Sequence, residues 1–435
     1  MRTLHALPLL LSLSALACNN ATTEPGVTPD AECHDETKAG CVVVSGSQRI
    51  ANPSVNAADS EALALGNTTF ALNLYQELRT EPGNLFYSPH SISSALAMTW
   101  AGAKGQTETD MAKALSFTLA QDKLHPAMNE LDLALSSRGQ GAQGADGKGF
   151  RLNIANALWG QLNYHFETPF LDVLALNYGA GMHVVDYQSA PEQALSLING
   201  WVEQKTEGRI KDILSPDNID ASTRLVLTNA VYFNAAWATP FEAANTATAP
   251  FTNQAGATVQ VPMMHGSVEV PYGAGADYAA VELPYDGNEL SMVLVLPNDL
   301  NAFESGLDAA RLKDVLSSLS NHIVDTKLPK FKFESKFDLI KPLETLGMGV
   351  AFSDLADFSG INGKGGLAIT GVIHQSFVSV NEAGTEAAAA TAVVVGETSI
   401  PEPAAITFDK PFLFMIRDIQ TKAVLFVGRV SDPTK

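Results

Sequence analysis

The side chains able to do chemistry in this sequence stand in none of the local arrangements that mark a catalyst, which leaves only a site assembled from distant segments. Nine histidines are present, yet no two are nearer in sequence than His165 and His183. The histidine pair one helical turn apart that grips a metal around a glutamate is therefore missing. A hydrolase serine on a strand-to-helix turn needs the pattern G-x-S-x-G, which does not occur. Gly102-Ala103-Lys104-Gly105 lacks the length and the Lys-Ser/Thr end of a phosphate-cradling loop. Gly139, Gly141 and Gly144 have dinucleotide-loop spacing, but a helix-like stretch precedes them and the strand-like Phe150 to Leu158 follows. A dinucleotide loop needs the reverse order, so this run reads as a surface connection. The chain is expected not to be an enzyme.

The three cysteines carry other chemistry. Arg2, the apolar stretch Leu7 to Leu16, and Ala17-Cys18 have the layout of a bacterial secretion signal over residues 1–18. Small residues before a cysteine resemble a lipoprotein processing site, at which Cys18 would become the lipid anchor. Ala15 stands where such sites prefer leucine, and an ordinary signal peptide is the alternative. The expected location is extracellular, or tethered to the outer membrane by lipid alone. Cys33 and Cys41 read most simply as a small disulfide loop in an oxidising compartment. Two thiolates beside His34 fall short of the four ligands that structural zinc takes, so neither metal nor cofactor is expected. Residues 19–58, poor in large apolar side chains, read as a disordered tether lying outside the main fold.

Elements follow from the patterning of the remaining 59–435. Leu63, Phe70, Leu74 and Leu78 recur at helical spacing; Ser88-Pro89 opens a second helix and Thr107 to Phe117 forms another. Further helices are expected over Leu195 to Thr206, Phe303 to Ser318 and Leu339 to Leu346. From Arg224 onward strand-like runs dominate, including Leu225 to Phe233, Leu290 to Leu296 and Val372 to Val380. The class is α+β. A net charge of −20 offers polyphosphate no basic stripe, which argues against nucleic acid as a partner.

One segment is odd physically. Asn381 to Thr391 places tiny side chains between strand-like flanks, although alanine runs prefer helix. As a strand, Thr385, Ala387, Ala389, Thr391, Val393 and Val395 would share one face, all small or β-branched, with Glu386 on the other. Such a face can enter a crowded sheet. The segment Glu382, Ala383, Gly384, Thr385, Glu386, Ala387, Ala388, Ala389, Ala390, Thr391 resembles the hinge signature of the serpin family. Other matches occur in family order: Asn84 to Ile92, Thr228 to Phe233 with Trp237 and Pro240-Phe241, Leu328 to Phe331, Ala356 to Ile361, Pro411 to Phe414 and Phe426 to Gly428. The resemblance spans roughly residues 60–433.

The resemblance implies a monomer with a helical bundle, three β-sheets and an exposed reactive loop at 382–403. The largest sheet would accept that loop as an added strand once a protease cuts it. At about 1 kcal/mol net per hydrogen bond, ten inserted residues are worth on the order of 10 kcal/mol. It further implies a bait bond at Thr398-Ser399, with Glu397 or Ile400 as alternatives to Thr398 because the segment from Ser399 to Phe408 is slightly longer than in well-known members. An opening latch of Ser88, Ser91, Asn229 and His374 is implied too, with Trp237 and Phe241 at the top of the sheet. A threonine before the cut suits elastase-like or subtilisin-like serine proteases, with a cysteine protease as a further partner. Lys123, His125 and Arg138 are too sparse for a heparin-like cofactor. The alternative is a non-inhibitory member whose loop is merely a substrate or whose body carries a ligand.

Overall fold

The computed structural model describes residues 31–34, 36–385 and 404–435. Two sheets organise the chain. The strands of the first are numbered here among themselves: β1 (Glu32–Cys33), β2 (Val42–Val43), β3 (Arg151–Gln161), β4 (Met182–Val185), β5 (Leu225–Ala236), β6 (Phe331–Asp338), β7 (Gly371–Asn381) and β8 (Gly384–Thr385). Their order is β1-β2-β4-β3-β5-β8-β7-β6. The central β5 is buried along almost its whole length, so apolar side chains face both sides of it and even Thr228, Asn229 and Asn234 are buried.

Five helices flank this sheet near the latch residues. α1 (Ala57–Leu78) is capped by Asn56, and α2 (Pro89–Trp100) by Ser88, whose Oγ accepts from the Ser91 N–H. Pro89 at the first helical position costs no hydrogen bond there. α3 (Gln121–Ser136) and α4 (Thr168–Tyr178) pack beside them, and α5 (Pro191–Lys205) lies on the opposite face. Ile198, Trp201 and Val202 of α5 bury against Trp159, Val226 and Ile373 in a core of their own.

The second sheet runs Ala404–Thr407, Ser320–Pro329, Thr258–Ala274, Tyr278–Pro284, Leu290–Pro297, Phe412–Asp418, Val424–Val430 and Leu85–Tyr87, with Ala247–Thr252 on Thr258–Ala274. Three sheets were expected, whereas the described strands form two. The reason is the 17-residue strand Thr258–Ala274, which pairs with Ser320–Pro329 along most of its length and with Tyr278–Pro284 through Tyr272 to Ala274. One ladder thereby joins what would be separate sheets.

The tether expectation needs correction. Cys33 and Cys41 are joined by a disulfide, and Cys41, Val42 and Val43 are buried. β2 pairs with β4 through Val42–His183 and Val43–Met182. The physical reason is that Val42 and Val43, though few, find an open strand edge that satisfies their backbone as well as their side chains. The helix expected over 303–318 is two, Leu300–Ser305 and Ala309–Ser318, the second capped by Asp308.

Candidate functional site

Four residues from three distant segments of the chain converge beneath the first sheet. His374 lies on β7, Asn229 on β5, and Ser88 and Ser91 at the start of α2; all are buried. The Ser88 backbone N–H donates to His374 Nε2 at 3.1 Å, which leaves Nδ1 as the protonated nitrogen facing Asn229 Oδ1. The Asn229 amide then donates to Ser91 Oγ, and Ser91 Oγ donates to Asn156 Oδ1 at 2.7 Å. Asn156 Nδ2 returns a bond to the Ser91 carbonyl at 3.1 Å. Asn156, on β3, was not anticipated, because a lone asparagine in a strand carries no sequence signal. The chain of bonds thus crosses β7, β5 and β3 and ends on α2.

Burial lowers the His374 imidazole to about 3, outweighing its bond to Asn229. With Nε2 accepting from a backbone N–H, a second proton has no place to go. His374 is a neutral hydrogen-bonded link at any physiological pH.

At the top of the sheet β5 and β7 separate. Lower down they pair directly and in parallel, from Val226–Gly371 to Val231–Ser376. Above, β8 fills the gap antiparallel to both: Gly384 lies opposite Ala236 and Asn381, Thr385 opposite Ala235 and Val380. Thr385 is fully buried and its hydroxyl is 2.8 Å from that of Tyr285. Burial pushes the Tyr285 hydroxyl above its ordinary range, so it keeps its proton. Tyr285 in turn stacks on Trp237 at 4.8 Å. Trp237 Nε1 donates to the Asn381 carbonyl at 3.0 Å and its N–H to the Ala383 carbonyl at 2.9 Å; the Phe241 N–H donates to the Glu382 carbonyl at 2.8 Å. The Glu382 carboxylate pairs with Lys330 at 2.8 Å and accepts from Thr246 Oγ1. Partial burial would raise this carboxyl, but the Lys330 and Thr246 contacts outweigh it and hold it below its usual range.

Gly384 is the one position here that no other residue fits. Its φ is +151°, and a Cβ would lie 2.2 Å from the Ala235 carbonyl oxygen and 2.7 Å from Ala236 Cα. Both obstacles are backbone. Gly384→Ala is expected to cost about 2 kcal/mol or more, the scale of backbone strain, and to lower the midpoint of calorimetric unfolding. An unchanged midpoint would show that β8 is not held in the sheet.

Of the expected site residues, Glu386, Ala387, Ala388, Ala389, Ala390, Thr391, Thr398, Ser399 and Cys18 lie outside the described residues. Apart from Cys33 and Cys41 at the sheet edge, the others gather in two places, the latch cluster and the sheet top, joined by β5 and β7. A family model described as Serpin (serine protease inhibitor) matches residues 65–433. Leukocyte elastase inhibitor A of Mus musculus is 39% identical over 387 residues, 86% of this chain and 100% of its own. An uncharacterized serpin-like protein of Thermococcus kodakarensis is 40% identical over 386 residues, 88% of this chain and 86% of its own. The native state of tengpin, a thermophilic serpin, matches with a TM-score of 0.78 at 29% identity, covering 89% of this chain and 97% of that one.

Proposed function

This chain belongs to the serpin family, and from that premise we propose that it traps a serine protease as a suicide substrate, by inserting its cut loop between β5 and β7. The observation that carries this reading is β8 itself. Two hinge residues already occupy the gap, in a register that the rest of the hinge can continue.

Counting on from Thr385, opposite Ala235 and Val380, places Ala387 opposite Phe233 and Val378, Ala389 opposite Val231 and Ser376, and Thr391 opposite Asn229 and His374. Strand alternation turns these odd positions to the face that Thr385 shows, toward the core and α2. Small side chains suit that crowded side. The count also assigns the latch a role: insertion reaches Asn229 and His374 at Thr391, whose hydroxyl can take over a bond that the separating strands give up. Until then the latch keeps β5 and β7 together.

In the reaction the protease serine attacks the carbonyl carbon of the bait bond, the Ser399 amine leaves with a proton, and the acyl group stays on the enzyme. Strand insertion then drags the acyl-enzyme away before water completes hydrolysis. The bait is Thr398-Ser399, and the target elastase-like or subtilisin-like. The names of relatives such as leukocyte elastase inhibitor A and the absence of any lysine or arginine from 382–403 support that choice. Export through residues 1–18, with Cys18 as the lipid anchor, is part of the same proposal; the Cys33–Cys41 disulfide supports an oxidising compartment.

The test mixes the protein with pancreatic elastase, subtilisin, chymotrypsin and trypsin. A complex that survives denaturing gels with elastase or subtilisin, and a released peptide beginning at Ser399 by mass spectrometry, are expected. Clean cleavage without complex would instead identify a substrate-like, non-inhibitory member.

A further inference from the structure

Residues 31–50 form a strap that bolts the open edge of the first sheet to its helices. At one end β2 lies on β4, and the ladder is lengthened by Gly40 N–H to the Val184 carbonyl at 2.7 Å and Val184 N–H to the Cys41 carbonyl at 3.0 Å. The Glu36 carbonyl accepts from the Asn163 N–H and its carboxylate from the Phe166 N–H. The disulfide closes this end into a compact loop. The chain then crosses α4, where Ser47 Oγ donates to Asp172 and the Ile50 N–H to the Leu176 carbonyl. It crosses α3, where Arg49 pairs with Asp132 at 2.5 Å and donates to Asn129 Oδ1 at 2.8 Å. Six residues past Ile50 it becomes the cap of α1. The sheet edge is thus tied covalently to the first helix.

An added strand widens a sheet by about 4.8 Å. Room for it between β5 and β7 requires β5, β3 and β4 to move as a group, or β7 and β6 to do so. Packing around the first group is incomplete at one place. A cavity of about 300 Å³ lies along its outer side, lined among others by Glu32, Val42, Asn156, Ala157, His183 and Trp201. One wall of the cavity is Asn156, the terminal link of the latch. The strap closes over this cavity with Glu32, Val42 and Val44.

We propose that residues 31–50 are a clamp whose disulfide sets how readily the main sheet opens; the proposal rests on the insertion reading above. Half-buried Cys33 is the sulfur an external dithiol can reach, whereas Cys41 is enclosed. A dithiothreitol thiolate attacks Cys33 Sγ and forms a mixed disulfide, and Cys41 leaves as a thiolate and is protonated. The second reagent thiol closes the reagent's ring and frees Cys33, so two electrons pass from dithiol to disulfide.

The experiment needs no protease. A synthetic peptide of sequence 385–396 is incubated with the full chain, and its incorporation is followed by native gel and by the rise in unfolding midpoint. Compared are the oxidised protein, the protein in dithiothreitol, Cys33→Ser with Cys41→Ser, and Arg49→Ala, which keeps the disulfide and releases the strap from α3. Incorporation is expected at least about tenfold faster in the reduced protein and the cysteine variant, and faster in Arg49→Ala. Equal rates in all four would overturn the clamp while leaving insertion intact. Failure of the peptide to enter any form would overturn both.

Discussion

Thr385→Arg is expected to turn the protein from an inhibitor into a substrate. Thr385 sits between β5 and β7 with its hydroxyl against that of Tyr285, and among the described residues its side chain hydrogen-bonds to no carboxylate. A guanidinium placed there would be buried and unpaired, at a cost of several kcal/mol. Each 1.4 kcal/mol is a factor of ten, so insertion should slow by about a hundredfold or more. Hydrolysis of the acyl-enzyme would then win the race. The measurement is the ratio of denaturant-resistant complex to cleaved inhibitor, with unfolding followed in parallel to show that only residues 384–385 have left the sheet. An unchanged complex yield would rule out insertion through this gap.

The second large effect is acid lability. His374 has a folded-state value of about 3 against an ordinary 6.5, so between those values the unfolded chain binds the extra proton. Its contribution is complete above pH 6.5 and is lost as pH falls from 6.5 toward 3. At roughly 1.4 kcal/mol per pH unit, the fall from 6.5 to 4.5 removes roughly 2–3 kcal/mol. His125, lowered to about 4 by burial, acts in the same direction. Carboxylates held below their ordinary range, such as Glu382 and Asp418, lose their contribution only at lower pH, so this window belongs to the histidines. His374→Gln should be less stable at pH 7.5 yet show a shallower fall in unfolding midpoint between pH 6.5 and 4.5. A slope identical to that of the unaltered protein would remove His374 from the latch.

The hinge was legible in sequence because its constraint is local: a strand that must slide into a crowded sheet shows small side chains at alternate positions, and Thr385 to Thr391 do. The latch was legible only by resemblance. Ser88 announces itself as a helix cap, but nothing near His374 or Asn229 in sequence says that each faces the other. Asn156 escaped notice for the same reason. The N-terminal segment was misread because composition sums over residues. Two valines and a disulfide are a poor core by that measure, yet an open strand edge supplies the missing partners.

By itself the sequence determined the α+β class, the family, the absence of the local catalytic motifs sought and the one-sided smallness of the hinge, all of which reside in residue types at short spacing. Tertiary structure alone decided that β8 already occupies the sheet, that the latch runs through Asn156, and that residues 31–50 bind the sheet edge. These depend on contacts between segments far apart in the chain, whose free energy comes from the shared surface and not from either segment alone.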